Sequence, residues 1–212
     1  MSMIASDNGG QVIPRLENGV YTAISDAIID LGLQRNKQYG TIQRKFMLIW
    51  TILGEEVEIN GEKQPRTISK EYSFSLNEKS TLRKDLQAWR GKNFSEEELR
   101  GFNILTILNK PCQLQIILEE KNDKKYNNIA GIISLPKRTE VTKLENTYYF
   151  DMENMESWDN YQKIPNWIQE KIKRAENLES TGFDRYIKNY EEALKENTDE
   201  TEITALEDDL PF

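Results

Sequence analysis

The chain of 212 residues contains no histidine and a single cysteine, Cys112. Without histidine it lacks the side chain that most often serves as a base near neutral pH and as a nitrogen ligand for zinc. One thiol makes no internal disulfide, and with neither imidazole nor a second thiol it builds neither a metal site nor a familiar nucleophilic pair. Cys112 is therefore expected in the core. No run approaches the roughly eighteen apolar residues of a membrane-spanning helix. No basic segment followed by an apolar stretch marks a secretory signal, so the cytoplasm is the expected location. A phosphate-cradling glycine loop and a serine elbow are also missing, and the acidic run Glu96, Glu97 and Glu98 reads as favourable charge at a helix start. A non-enzymatic protein without cofactor or metal is expected. A nuclease using scattered carboxylates is the remaining enzymatic alternative.

Acidic charge is present but segregated. Residues 191–212 hold nine acidic side chains and one lysine, so the whole formal charge of −8 sits there and the preceding residues balance at 27 basic and 27 acidic. A neutral body can still carry a positive face, and a polyanion responds to that local field rather than to the global charge.

The clearest helix lies within residues 79–94. Leu82, Leu86 and Trp89 recur on one face, Ser80 or Thr81 can cap the start, and Gly91 can stop it. Three strand-like runs precede it: residues 19–29, a second around Phe46, Leu48, Trp50 and Ile52 that Gly54 ends, and residues 67–76. Ser95 and Glu98 match a capping box. Two more strands follow, over residues 112–119 and 126–135, with a charged turn between them. Three strands, a helix and two strands describe a mainly β fold, a five-stranded Greek-key barrel of the oligonucleotide-binding (OB) type. Residues 1–18 read as a mobile arm, 19–138 as the barrel, 139–194 as an extension with short helices near 166–177 and 183–194, and 195–212 as a disordered acidic tail.

Basic residues cluster in or beside the proposed barrel, with tyrosines among them. The candidates for nucleic acid are Arg35, Lys37, Tyr39, Arg44, Lys45, Lys70, Tyr72, Lys84, Lys124, Lys125, Tyr126 and Lys137. A single strand needs this chemistry, because cations follow its phosphates while aromatic faces accept its bases. Solvated surface explains lone lysines equally well, and Tyr72 shares an alternating set with Ile68 and Phe74 that can equally be core. Trp50 and Trp89 sit on apolar periodic faces and are expected to be core. In the tail, Asp208, Asp209, Leu210, Pro211 and Phe212 combine carboxylates with a terminal aromatic, a compact signal for a basic, apolar-pocketed partner.

The run EYSFSLNEKSTLRKDLQAWRGKNFSEEELRGF, followed by LNKPCQLQIILEEKNDKKYNNIAGIISLPK, resembles bacteriophage and prophage single-stranded DNA-binding proteins with an OB fold. DDLPF resembles the acidic Pro-Phe tail of bacterial single-stranded DNA-binding proteins, with Leu210 where isoleucine is common. The resemblance implies a protein that coats single-stranded DNA during phage replication or recombination in the cytoplasm of a bacterial host. It also implies that Asp208–Phe212 recruits host or phage replication and recombination proteins. For the helices of the extension 139–194 three roles stay open: packing back on the barrel, a partner surface, or a homodimer contact. The alternative is an interaction or recombination-accessory module whose barrel chiefly binds protein.

Overall fold

The computed structural model of the chain describes residues 14–59, 61–122 and 124–207, and side chains as far as residue 195. It is mainly β. Strands β1 (Gly19–Arg35), β2 (Ile42–Ile59), β3 (Glu62–Ser73), β4 (Pro111–Lys121) and β5 (Lys124–Ile133) form a sheet in the order β3-β2-β1-β4-β5, and the short β6 (Tyr148–Phe150) also pairs with β1. β1 runs antiparallel to β4, and β4 to β5. The helices are α1 (Thr81–Arg90), α2 (Glu96–Arg100), α3 (Asn166–Ile172), α4 (Leu178–Thr181) and α5 (Phe183–Glu207).

Two compact units share these elements. One takes residues up to Ile28 together with Leu48–Thr147, and the other takes Ile29–Met47 and residues from Tyr148 onward. β1 and β2 are longer than their sequence signals, β1 continuing to Arg35 and β2 passing through Gly54 to Ile59. Gly54 adopts a φ of 80 without ending the strand. β3 begins earlier than expected and stops at Ser73 rather than Leu76.

In the first unit the side chains of α1 behave as their spacing dictates. Leu82, Leu86 and Trp89 are buried, Ser80 Oγ accepts from the Arg83 N–H, and Gly91 closes the helix at a φ of 66. Trp89 donates its indole N–H to the Pro111 carbonyl at 2.9 Å, and its ring lies 6.0 Å from that of fully buried Trp50. Both sides of the Ser95–Glu98 capping box are made. Buried Ser25 is satisfied by the backbone entering β4: its Oγ accepts from the Lys110 N–H and donates to the Ile107 carbonyl. Cys112 is buried, which pushes its thiol pKa up and keeps it a neutral core group.

Lys70 of β3 reaches across to β5, placing its ammonium 2.8 Å from Asp85 of α1 and 3.4 Å from the Ile129 carbonyl. Strands at opposite ends of the sheet order therefore come close here, and α1 touches both. Tyr72 donates to the same Asp85 oxygen at 2.8 Å.

Asp26 of β1, half-buried, accepts from Thr51 Oγ1 at 3.1 Å. Burial pushes its carboxyl pKa up, and the Thr51 bond pulls it down less strongly. A raised folded pKa makes the native state hold its proton longer than the unfolded chain. Stability from this group is then fullest below the unfolded pKa and declines as pH rises through the folded one. Asp26→Asn, which removes the charge, is expected to raise the melting temperature near neutral pH and to lose that advantage in acid. Thermal melts at the two pH values check this; an equal shift at both contradicts it.

The second unit is built on an aromatic cluster. Phe183 packs against Phe150 at 4.9 Å, Trp158 at 5.1 Å and Tyr161 at 5.2 Å between ring centroids. Burial pushes the Tyr161 phenol up to about 12. Gly32, at a φ of 67, lies where a Cβ would stand 2.6 Å from Asn177 Oδ1 and 2.8 Å from the Ala175 methyl. The backbone conformation and the close approach together require glycine. α5 continues to Glu207, where an acidic linker was expected. Its run of Glu, Ala, Leu and Lys between residues 191 and 196 is made of good helix formers, which accounts for the helix passing residue 194. Residues 208–212 lie outside the described residues.

Candidate nucleic-acid interface

β4 and β5 turn over a two-residue connection at Asn122, which adopts a φ of 52. Such tight turns favour asparagine in the left-handed region. Register then fixes which side chains share a face. Leu114 opposes Ile132 and Ile116 opposes Ile129, and all four are buried. The alternate set, with Gln113 opposite Ile133, Glu119 opposite Tyr126, and Lys121 opposite Lys124, faces away from that core. Tyr126 is 46% exposed and Ile133 47%.

Two lysines thus stand directly across from each other at the end of the hairpin, an arrangement that repels and that an anion relieves. Glu119 shares that face, one of its oxygens accepting from the Asn128 side chain at 3.0 Å, so among the charged groups of the paired register two lysines stand with one carboxylate. Lys125 lies on the other face, opposite Glu120. Lys121 was not among the candidates from sequence. Its signal was available, because a two-residue turn after Lys121 sets it opposite Lys124.

The remaining candidates in the first unit separate by chemistry. Lys84 is exposed on α1, and Lys137 is exposed beyond β5. Lys70 is committed to Asp85, its side chain only 20% exposed. Tyr72 is buried, 4% exposed, with its phenol pKa raised chiefly by burial and then by the Asp85 charge. Its ring belongs to the packing beneath β3, where no base can stack on it without unfolding the strand.

In the second unit, Lys37 and Tyr39 project from the turn between β1 and β2, Tyr39 being 71% exposed. Asn36 organises that turn by accepting from the N–H groups of Gln38 and Tyr39. Arg35 pairs with Glu176 at 2.7 Å on an exposed surface. Arg44 bonds to buried Asp30 at 2.9 Å, with Asp151 and Glu153 each at 3.2 Å. These carboxylates hold its guanidinium firmly protonated, the bond to Asp30 contributing most. Lys45 is half-buried and also engaged.

The hairpin therefore brings together Lys121, Lys124 and Tyr126 on one face, with Lys125 on the other. Arg35, Arg44, Lys70 and Tyr72 serve internal contacts. The tail candidates Asp208, Asp209, Leu210, Pro211 and Phe212 lie outside the described residues. Among the described residues no helix is long and apolar enough to cross a membrane, and no cluster of three or more potential metal-ligating side chains is found. Neither a protein-family model nor a curated protein matches this chain.

Proposed function

We propose that the protein binds single-stranded DNA with little sequence preference, using the outward face of the β4–β5 hairpin. The observation that carries this reading is the register that sets Lys121 against Lys124 with the half-exposed Tyr126 ring on the same face. Two cations can follow adjacent phosphates while the ring accepts an unpaired base. A duplex buries its base faces and offers nothing to the tyrosine, so the pairing of ring and lysines favours single strands.

An OB-type Greek-key barrel suits this function. Its support is the sheet order β3-β2-β1-β4-β5, the position of α1 between β3 and β4 in the chain, and the reach of Lys70 from β3 to the β5 backbone. The resemblance to phage single-stranded DNA-binding proteins points the same way and suggests a non-enzymatic role in phage replication or recombination in a bacterial host. Asp208–Phe212 would then recruit partner proteins.

A second reading, a protein-interaction or recombination-accessory module, is favoured by one finding: Arg35, Arg44 and Lys70 are tied to carboxylates rather than presented together. Tyr126→Ala separates the two. On the DNA reading it costs about 1–3 kcal/mol of affinity for a labelled single-stranded oligonucleotide, the range for one stacked base, and leaves the thermal melt nearly unchanged because the ring is half-exposed. Unchanged affinity would favour the interaction module.

A further inference from the structure

The end of α1, the 3-10 turn Ile104–Ile107 and the residues after β5 enclose a cleft of about 540 Å³. Its walls are mainly apolar, from Trp89, Phe102, Ile107 and Leu135, and Arg90 and Lys110 line it as well. A smaller cleft of about 230 Å³ shares Phe102. The candidate hairpin lysines line neither.

Charge at the larger cleft is uneven. Among the described residues the cleft is lined by Arg90, Lys110 and one carboxylate, Glu98, which Arg90 Nη2 contacts directly and Lys92, outside the lining, approaches at 3.9 Å. Arg90 Nη1 is buried without a hydrogen-bond partner among the described residues. A buried donor left in that condition is costly, so the guanidinium gains from an acceptor that draws it outward. Lys110 is exposed, and among the described residues its backbone alone is engaged, with Ser25.

The aromatic rings here already have packing partners. The Arg90 guanidinium lies 4.5 Å from the Phe94 ring centre and 5.1 Å from that of Phe102, Phe94 packs edge-on to Phe102, and Trp89 packs on Trp50. The cleft therefore offers apolar walls beside cations, with its aromatic rings already engaged by Arg90 and by one another. That combination suits a carboxylate beside a bulky apolar side chain. We infer that this cleft docks a short acidic peptide of a partner protein, with its carboxylates on Arg90 and Lys110 and an apolar side chain against Ile107, Leu135 and Phe102. The inference does not depend on DNA binding.

The test is fluorescence anisotropy of a labelled synthetic peptide, Asp-Asp-Leu-Phe with blocked ends, titrated with the full chain and, because residues 208–212 carry a nearly identical sequence that would compete for the cleft, also with the chain ending at Glu207. Saturable binding is expected, weakened at least tenfold by Lys110→Glu and by Arg90→Gln. It should also be lost when the peptide carries Asn-Asn or Ala-Ala in place of its acidic or apolar pair. Because Arg90 also packs on Phe94 and Phe102, Lys110→Glu is the variant expected to keep the wild-type melt and so isolates the cleft. Absence of binding, equal binding by Lys110→Glu, or displacement of the peptide by a single-stranded oligonucleotide would each overturn the inference. An intact peptide signal in excess oligonucleotide supports it, and the DNA affinity of the same samples is scored separately.

Discussion

Leu86→Ala is expected to destabilise the protein by about 2–5 kcal/mol, the range for deleting a large aliphatic side chain from a packed core. Leu86 is 1% exposed and lies between Leu82 and Trp89 on the buried face of α1. The helix can yield little toward the cavity, because Trp89 is pinned to the Pro111 carbonyl and Asp85 holds both Lys70 and Tyr72. Poor relaxation places the cost toward the upper part of that range. Urea denaturation measures it. A loss below about 1 kcal/mol, the level of ordinary surface substitutions and small repacking, would mean that α1 is not part of the core.

The double charge reversal Lys121→Glu with Lys124→Glu is expected to weaken single-stranded DNA binding by about tenfold or more at moderate salt. It should also flatten the dependence of log K on log salt by roughly 1.4, since each phosphate contact on a single strand contributes about 0.7. The variant replaces one like-charge pair by another at the same register and sets it beside Glu119 on the same face, so a thermal melt of the variant accompanies the titrations to show that the hairpin stays folded. Anisotropy titrations over a salt series supply both quantities. Reduced affinity with an unchanged slope would assign the effect to something other than lost phosphate contacts.

Much of the architecture was legible in the sequence because local signals and tertiary roles agree. The apolar spacing of Leu82, Leu86 and Trp89, the Ser80 cap and Gly91 all specify the same helix, and the Ser95 capping box forms as written. β1 was harder to read for a physical reason. It lies between β2 and β4 in the sheet, and its residues from Ala27 to Gly32 are buried without interruption. A strand covered on both faces loses its alternation and resembles a buried helix segment. The same continuous burial, from Phe46 to Ile52, hides the two faces of β2.

The candidate interface was less legible because a basic residue does not announce its partner. Glu176 lies 141 positions from Arg35, and Asp151 lies 107 from Arg44, so no local pattern marks those arginines as engaged. Tyr72 illustrates the opposite ambiguity. Its alternating set with Ile68 and Phe74 admitted a core position, and its bond to Asp85 depends on how α1 packs on β3. Lys121, Lys124 and Tyr126 could be grouped only through register, which a two-residue turn determines and a longer loop would not.

The most direct test of the DNA-binding account compares a fluorescently labelled single-stranded oligonucleotide with its duplex, each titrated with the full chain at low and moderate salt and followed by anisotropy. The account predicts tight binding to the single strand, weaker binding to the duplex, and a fall in both as salt rises. Equal binding to the two forms, or no binding to either at low salt, would contradict it.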